Sequence, residues 1–372
     1  MKYNTLYVGM DVHKESFTLC CYDMDEDRVF YTQKIEADYK QILKYLNAVR
    51  STVGNDVEFL CGYEAGCLGF SLYHQLTRYE VNCVILAPTT MVKTTNKKIK
   101  TDKRDAANIA KCLAYHTYSP VHVPTKQDEQ VKEYIRMRDD HKQALKKIKQ
   151  QILSFCLRQG YTYTATKNYW TDKHLRWLQT LEADGLHKEI LEEYLLSYYT
   201  LTDKVERIDK RIEELAADDA YRDSVKKLSC FIGIKTHTAL ATIVEVGDFQ
   251  RFPTAERFAA YLGLVPGEAS SGDTQQRLSI TKAGNSHVRR LLVEAAQGYV
   301  RGQVGYKSAS LKQRQTGNPP AVIAYADKAN ERLRRRYYRM VLNQNKKPNV
   351  AKTAVTRELA CFIWGMMTDH IA

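Results

Sequence analysis

The stretch that decides the fold of the N-terminal region is "TLYVGMDVHKESFTLCCYD", residues 5–23. Apolar, β-branched and aromatic residues alternate with polar ones in both halves, and the polar segment "HKES" separates them. This pattern predicts two β-strands joined by a tight turn, that is, a β-hairpin. Asp11 follows the apolar run "LYVGM", so the first strand carries a carboxylate.

Further strands and helices follow the hairpin. Residues 28–37 predict a third strand, and residues 39–54 predict a helix that ends at Gly54. The next segments predict, in chain order, a buried strand, a helix, a buried strand and a helix: 56–66, 68–80, 81–88 and 102–116. This order predicts a mixed α/β sheet.

The composition points to a polyanionic partner. Lys and Arg together number 56 against 43 for Asp and Glu, which gives a formal net charge of +13. The excess lies in runs such as "NKKIK" and "RLRRRYYR", and the chain has 25 tyrosines, several beside basic residues. Phosphate contacts next to base stacking would use such a pattern, so nucleic acid is the leading candidate. A solvated basic face is the alternative for any single run.

The cysteines and the hydropathy pattern place the chain in the cytoplasm. There are nine cysteines and no CxxC pair, which is typical of reduced thiols rather than of a disulfide framework or a zinc site. No segment approaches the roughly 20 apolar residues that a membrane span needs. We therefore expect a soluble, intracellular protein without a membrane partner.

The pattern changes to long helices with heptad spacing from about residue 126. Two apolar seams are visible: Leu145, Ile148, Ile152 and Phe155, and then Tyr198, Leu201, Val205, Ile208, Ile212 and Leu215. They predict either a coiled coil that acts as a dimerisation arm or an internal helical hairpin. We place the domain boundaries at 1–122, 123–222 and 223–372.

The third region is predicted to be mainly helical. Two short helices on either side of Gly233, the second closed by Gly247, suggest a helix-hairpin-helix that binds phosphates through backbone amides. Lys235 stands where a second hairpin glycine is expected. A polar loop, "EASSGDTQQRLS", precedes the predicted helix "NSHVRRLLVEAAQGYV", and an amphipathic helix lies near the end of the chain.

Four carboxylates stand out by position. Asp11 lies on the first strand and Glu64 at the carboxyl end of a buried strand, while Asp102 and Asp105 are three residues apart at a helix start. Neighbouring strand ends and a helix laid over that edge would bring them together. Carboxylate oxygens suit Mg²⁺, and two such ions about 4 Å apart can clamp the attacking and leaving oxygens of a phosphodiester. Taken singly, each residue is more often a cap or a turn residue.

The motifs "GMDVHKES", "GYEAG" and "TDKRDAANIA" resemble the D…E…DxxD signature of the DEDD, RuvC-like transposases of a bacterial insertion-sequence family that includes the pilin-gene invertases. The C-terminal segments "GDFQRFPTAERFAAYLGLVPGEASSG" and "ITKAGNSHVRRLLVEAA" resemble the second domain of the same family. The resemblance implies an RNase H/RuvC-like first domain with Asp11, Glu64, Asp102 and Asp105 as catalytic metal ligands, and a C-terminal transposase domain.

The resemblance also implies the chemistry and the partners. A serine directly before a glycine is the nucleophile in the family, which selects Ser271 and keeps Ser270 as the alternative. The implied enzyme is a DNA transposase or recombinase, guided by a bridge RNA that the element encodes. It would join donor and target DNA as a dimer to tetramer, with Mg²⁺ as cofactor. The metal ligands and Ser271, from two domains, would form one composite active site. The expected location is the bacterial cytoplasm, in association with the nucleoid.

Two sets of residues near these motifs are candidate contacts to nucleic acid. The first surrounds the paired aspartates and the second follows the serine loop: Lys97, Lys98, Lys100, Lys103 and Arg104, and then Lys282, Asn285, Arg289 and Arg290. For each set, a basic face in solvent is the alternative interpretation.

Two other functions are compatible with part of this pattern. A hydrolytic RuvC-like nuclease of the junction-resolvase type would use metal-activated water and leave the serine idle. An inert architectural protein would keep the charge without the chemistry. The large region after residue 223 argues against the first, and the presence of all four carboxylates argues against the second.

Overall fold

The computed structural model describes residues 5–54, 56–66, 68–92, 101–269 and 277–371. The chain divides into two compact units, Met1–Val123 and Pro124–Ala372. The first is a mixed α/β unit and the second is mostly helical, as the sequence predicts. The long helices of the middle region belong to the same unit as the C-terminal region.

The first unit contains the elements that the sequence predicts, in the predicted order. Its strands are β1 (Thr5–Val12), β2 (Ser16–Asp23), β3 (Arg28–Glu36), β4 (Glu58–Glu64) and β5 (Cys83–Leu86). Its helices are α1 (Tyr39–Val53), α2 (Ser71–Arg78) and α3 (Asp102–Ala114). Gly54 caps the end of α1, as predicted.

The strands form one five-stranded sheet in the order β3-β2-β1-β4-β5. The first three strands pair antiparallel, which confirms the hairpin, and β4 and β5 add in parallel beyond β1. This order is consistent with the RuvC-like fold that the resemblance implies. Because β1 and β4 are parallel neighbours, their carboxyl ends meet at one edge of the sheet.

Glycine in β1 determines how closely α3 approaches the sheet. Side chains alternate between the two faces of a strand, and Val8 and Met10 are buried in the core that contains Ile42 of α1 and Leu72 of α2. Gly9 faces the other way: a Cβ placed on it would lie 2.0 Å from the carbonyl oxygen of Ala106 in α3. Helix α3 therefore packs directly against the backbone of β1.

We expect Gly9→Ala to destabilise the first unit and to displace α3 from the sheet. The new methyl overlaps backbone atoms of α3, which cannot move aside alone, so the cost is about 1–3 kcal/mol or more. Urea unfolding followed by far-UV circular dichroism measures the change. Gly66→Ala is the matched control, because the nearest neighbour of its Cβ would be 3.8 Å away. Equal midpoints for the two variants would contradict this packing.

The second unit contains ten helices and a two-stranded ribbon within the described part of the chain. Its first helices are α4 (Lys126–Arg158), α5 (Asp172–Gln179), α6 (Gly185–Ala216), α7 (Arg222–Leu228) and α8 (Thr236–Val246). The later elements are α9 (Ala255–Tyr261), β6 (Pro266–Glu268), β7 (Arg277–Ile280), α10 (Ser286–Ala295), α11 (Ala309–Gln315), α12 (Pro320–Tyr338) and α13 (Pro348–Met367). A 3-10 turn covers Ala296–Tyr299, and a π-helical segment covers Arg339–Asn343.

The long helices α4 and α6 pack against each other in opposite directions. Arg138, in the first half of α4, pairs with Asp209 near the end of α6 at 2.7 Å. Phe155, near the end of α4, packs against Tyr194 in the first half of α6. Both predicted seams face this interface, which makes an internal helical hairpin. A coiled-coil dimerisation arm stays a prediction.

Gly233 lies between α7 and α8, as predicted, with a left-handed φ of +82°. A Cβ on this residue would lie 2.0 Å from the carbonyl oxygen of Ala295 in α10, so the glycine permits a close contact between backbones. Gly247 caps α8. Phosphate binding by this pair of helices stays a prediction.

Candidate active site

The carboxyl ends of β1 and β4 place two of the predicted carboxylates on one face of the sheet. Met10 pairs with Tyr63, and both side chains are buried in the core beneath α1 and α2. Asp11 and Glu64 are the next residues, so alternation directs both to the opposite face, where α3 lies.

The other two carboxylates lie in the first turn of α3. Thr101 caps this helix, and its hydroxyl accepts a hydrogen bond from the backbone N–H of Arg104 at 3.4 Å. Asp102 and Asp105 follow at a spacing of three residues and share one face of the helix. Carboxylates at a helix N-terminus are also favoured by the helix dipole. The four acidic residues therefore lie at the carboxyl ends of β1 and β4 and in the first turn of α3.

Three side chains come together at this point in the described part of the chain. The ligand atoms of Asp11, His13 and Asp102 all lie within 4.8 Å of one another. The His13 Nε2 atom is 3.1 Å from Oδ2 of Asp11. Glu64 and Asp105 lie outside this group of three.

Asp105 nevertheless lies close enough to influence Asp11. Burial raises the pKa of the Asp11 carboxyl above its ordinary value, and repulsion from Asp105 and Asp102 raises it further, while His13 acts in the opposite direction. Repulsion among these carboxylates means that the site favours a bound cation.

Two of the residues at the site are not among the sequence-derived candidates. His13 is two residues after Asp11, a spacing that puts both side chains on one face of an extended chain. Lys34 of β3 donates to Oδ2 of Asp102 at 3.3 Å. The sheet register explains its position, because Asp11 pairs with Thr18 and Thr18 pairs with Lys34. The DxH spacing can indicate His13 from the sequence alone. The position of Lys34 depends on how the strands pair.

The oxygen donors at this edge fit a divalent cation. Asp11 and Asp102 offer carboxylate oxygens, which are the ligands that Mg²⁺ prefers. The imidazole of His13 is a softer donor; its hydrogen bond to Asp11 orients that carboxylate. Lys103 and Arg104 are exposed in the same turn of α3. Lys97, Lys98 and Lys100 lie outside the described residues.

The predicted serine loop is flanked by the ribbon of β6 and β7 in the second unit. The sequence predicts one long polar loop here, but residues 277–280 pair as a strand with residues 266–268. Ser270 and Ser271 themselves lie outside the described residues. The end of the ribbon opposite the serine loop is its base. There, the N–H groups of Thr281 and Lys282 donate to the carbonyl oxygens of Val265 and Gly263 at 2.9 and 3.1 Å.

Asn285 and Arg289 fix the base of this ribbon. The Asn285 side chain caps α10 by accepting from the N–H of Val288 at 3.0 Å, and its Nδ2 donates to Glu245 at 2.9 Å. The Arg289 guanidinium donates to the carbonyl oxygens of Leu262 (2.8 Å) and Ala283 (3.0 Å). Arg289 thus joins the two segments that flank the serine loop, and Asn285 joins the start of α10 to α8.

The other two predicted contacts of this set differ from each other. Lys282 is exposed and has a φ of +55°. Arg290 forms ion pairs with the buried Asp139 and, at 3.3 Å, with Glu294. Burial opposes ionisation of Asp139, but hydrogen bonding to His237 and the charges of His237 and Arg290 outweigh it and lower the pKa to about 2.

We expect Asp139→Asn to destabilise the second unit by about 2–4 kcal/mol at neutral pH, because it leaves neighbouring cations without their buried counter-charge. A carboxyl whose pKa is lowered on folding stabilises above its unfolded value of 3.8 and loses that contribution as the pH falls towards about 2. The difference in urea midpoint should therefore be constant above about pH 4 and shrink below it. Asp140→Asn, at an exposed neighbouring position, is the control. A difference that stays constant down to pH 2 would contradict this assignment.

Two transposase family models match separate parts of the chain. A DEDD-type transposase model matches residues 8–161, and the model described as "Transposase IS116/IS110/IS902 family" matches residues 225–313. The transposase for insertion sequence element IS1533 of Leptospira borgpetersenii is 32% identical over 339 residues, which cover 89% of this chain and 95% of that protein. The chain belongs to this transposase family.

Two other relatives cover most of the chain. The predicted transposase y4qE of Sinorhizobium fredii is 32% identical over 99% of this chain and 90% of its own length. The transposase for IS1111A of Coxiella burnetii is 26% identical, with 86% of each chain covered. The first matched region contains all four predicted carboxylates, and the second contains Ser270, Ser271 and α10. No helix within the described residues is long and apolar enough to cross a membrane.

Proposed function

We propose that this transposase is an RNA-guided DNA recombinase that cleaves and exchanges strands through a covalent phosphoserine intermediate. The observation that carries the proposal is the convergence of Asp11 and Asp102, with Asp105 close by, at the edge of a RuvC-like sheet in a member of a transposase family. Repulsion from Asp105 and Asp102 disfavours the ionised form of Asp11, and a catalytic cation would relieve that repulsion.

The residues of the first unit have distinct tasks in this proposal. Asp11, Glu64, Asp102 and Asp105 would hold magnesium, two ions in a complete site, and His13 would orient Asp11 through its hydrogen bond. Bound magnesium supplies positive charge that stabilises the phosphorane-like transition state. Lys34 limits the repulsion on Asp102 while the metal is absent. Lys103 and Arg104, with Lys97, Lys98 and Lys100, would contact the flanking phosphates.

The Ser271 hydroxyl is the proposed nucleophile, with Ser270 as the alternative. Its oxygen forms a bond to phosphorus while the bond to the departing DNA oxygen breaks, and that oxygen takes up a proton. The ester so formed keeps the energy of the phosphodiester for rejoining to another strand. The fixed base of the ribbon, held by Asn285 and Arg289, supports this role because a nucleophile needs a defined position. Lys282 and Arg290 would contact DNA beside it.

The proposed partners are donor and target DNA, the bridge RNA of the element and further copies of this chain. Strand exchange requires enough active sites to cut each participating strand, so a dimer to tetramer is expected. The net charge of +13 supports a polyanionic partner. Base pairing with the RNA, rather than side-chain contacts, would select the sequences.

A hydrolytic nuclease that uses metal-activated water is the second candidate. The observation that favours it is that the group of Asp11, His13 and Asp102 forms entirely within the unit Met1–Val123. Hydrolysis by water would need nothing from the serine loop.

One experiment separates the two mechanisms. The protein is incubated with its candidate RNA, Mg²⁺ and end-labelled DNA of the element, and the products are separated under denaturing conditions. A DNA–protein adduct that survives denaturation supports the recombinase. Cleaved DNA without an adduct, at every time point, would favour the hydrolytic nuclease.

A further inference from the structure

A groove of about 890 Å³ runs along α12 in the second unit, away from the ribbon residues discussed above. Its wall contains five cations against two carboxylates: Lys328, Arg332, Arg335, Arg336 and Arg339, and then Glu331 and Glu358. These residues include four of the five arginines in the run "RLRRRYYR", whose charge has no part in the proposed chemistry. The groove therefore has an excess of three positive charges to offer a ligand.

The carboxylates of the groove neutralise only some of its cations. Glu358 pairs with Arg332 and, at 3.1 Å, with Arg336, while Glu331 pairs with Arg335. Among the described residues, no carboxylate pairs with the side chain of Lys328 or Arg339, and both are exposed. An anionic ligand would thus meet two available cations and three guanidinium groups that already pair with carboxylates. Guanidinium groups bind phosphate oxygens well because their N–H groups form a planar fork.

The groove also has an apolar lining, which a purely electrostatic surface would not need. Leu342 is 73% exposed and Val304 is 37% exposed, and both line the groove beside Tyr338. The Tyr338 hydroxyl donates to the carbonyl oxygen of Gly302 at 2.8 Å, which anchors the ring at its polar end. Exposed leucine and an anchored aromatic ring offer contact area to a flat apolar group.

Hydrogen bonds from Arg334 position one wall of the groove. The buried Arg334 donates to the carbonyl oxygens of Gln303 at 2.6 Å and of Gly298 at 3.1 Å, so it holds the loop that carries Val304. On the other side, the π-helical segment Arg339–Asn343 presents Arg339 and Leu342. π-Helical turns are uncommon and occur frequently at functional sites. A preformed groove does not have to be ordered when a ligand binds, which favours affinity.

We propose that this groove binds an unpaired strand of nucleic acid, with phosphates on the α12 cations and a base against Tyr338 and Leu342. Phosphate contacts combined with an aromatic ring that accepts a base are the features that single-strand sites share, whereas a paired helix keeps its bases stacked inside. The proposal rests on the proposed function and deepens it by assigning a surface to an unpaired strand. That strand comes either from the guide RNA or from DNA opened for exchange, and both share this chemistry.

The test measures binding directly, with the full chain in metal-free buffer, so that cleavage plays no part. The probes are a labelled single-stranded RNA of roughly 12 nucleotides, within the range that such sites bind, a DNA of the same sequence, the matching duplexes and a polyglutamate peptide. Fluorescence anisotropy at several salt concentrations gives each affinity and its salt dependence. Preference for single-stranded RNA over DNA, or the reverse, identifies the source of the strand.

The first variant removes the two unpaired cations, Lys328→Ala together with Arg339→Ala. Each lost phosphate contact with a single strand lowers the slope of log affinity against log salt by about 0.7, so we expect a decrease of about 1.4. The control is Lys188→Ala together with Lys210→Ala, which removes the same charge from exposed positions on α6. An equal decrease in the control would show that only net charge matters and would overturn the proposal.

The second variant tests the apolar contact. Tyr338→Ala should weaken binding of single strands about tenfold, with a much smaller effect on duplexes, because stacking on one aromatic ring is worth about 1–3 kcal/mol. Tyr338→Phe keeps the ring and should retain most of the affinity. If Lys328→Ala with Arg339→Ala and Tyr338→Ala both bind single strands like the wild type, the groove is not a nucleic-acid site. The same conclusion follows if polyglutamate binds as tightly as the single strands and loses the same affinity in these variants.

Failure of this proposal is distinguishable from failure of the proposed function. If the wild type binds none of the nucleic-acid probes, or if the groove variants bind them normally, the groove assignment is overturned while cleavage of element DNA remains as measured. Conversely, if element DNA is not cleaved while Lys328→Ala together with Arg339→Ala still lowers the salt dependence of single-strand binding, the proposed function fails and the groove assignment stands.

Discussion

Asp11→Asn is expected to lower the rate of DNA strand cleavage by about 10³-fold or more, because it removes an anionic oxygen ligand from the centre of the proposed metal site. Asn offers a neutral carbonyl oxygen in the same position and cannot balance the charge of Mg²⁺. It also weakens the hydrogen bond between this position and His13. The rate is measured with end-labelled DNA of the element under single-turnover conditions, at several Mg²⁺ concentrations.

Loss of activity in this variant should not reflect unfolding. Burial and the neighbouring carboxylates raise the pKa of Asp11, so its ionised form is less favourable in the folded, metal-free protein than in the unfolded chain. Asn relieves that repulsion, and the urea midpoint without metal should be unchanged or higher. Mg²⁺ should raise the thermal stability of the wild type and have little effect on the variant.

The control for Asp11→Asn is Glu15→Gln, which removes a carboxylate from the same hairpin at an exposed position. Its cleavage rate should match the wild type. Asp102→Asn should behave like Asp11→Asn, because the ligand atoms of the two residues belong to one group. Undiminished cleavage by both aspartate variants would show that the metal site is misassigned.

The fold of the first unit was predictable because its sequence patterns are local. The alternation of residues 5–23 predicts the hairpin, and apolar runs at 56–66 and 81–88 predict the parallel strands. The face on which Asp11 lies also follows from alternation. The requirement for glycine at position 9 does not follow from the local sequence. It arises from the backbone of α3, which is distant in sequence.

The candidate site was predictable in part. Asp11 and Asp102 come together as expected, but Lys34 enters the site through the pairing of three strands, and no local pattern encodes such pairing. The sequence predicts Arg289 as a nucleic-acid contact from its charge and its position just after the serine loop. In the structure, the Arg289 guanidinium donates to two backbone carbonyl oxygens. These carbonyls lie close together because the segment "ITKAGN" runs back beside "YLGL". Irregular backbone nearby needs hydrogen-bond donors, and sequence does not reveal that role of Arg289, whose contact to nucleic acid stays a prediction.

Charge and aromatic spacing also failed to locate the groove on α12. The run "RLRRRYYR" contains the buried Arg334 and the exposed Arg335 side by side, and helical periodicity alone separates them. Arg334 stabilises a loop, whereas its neighbours line the groove. Residues of one basic run on a helix therefore have different roles, because they lie on different faces of the helix.

Ser271→Ala is expected to abolish the covalent DNA adduct completely and to reduce cleavage to the level of the Asp11 variant. A methyl group cannot attack phosphorus, so the first step does not occur when Ser271 is the nucleophile. Ser270→Ala is the matched control, since it makes the same change one residue earlier. It should retain both cleavage and adduct, because the serine that precedes the glycine is the proposed nucleophile. The adduct is measured on denaturing gels with end-labelled DNA.

The pattern of these results across both sites identifies the mechanism. The carboxylates are required whether water or serine attacks, so the aspartate variants alone cannot distinguish the two. If Ser270→Ala loses the adduct and Ser271→Ala keeps it, the nucleophile is the other serine and the mechanism stands. If both serine variants still cleave and no adduct forms, while Asp11→Asn is inactive, then water attacks. The ribbon held by Arg289 would in that case serve DNA binding alone, and the unit that carries Asp11 would contain the whole catalytic machinery.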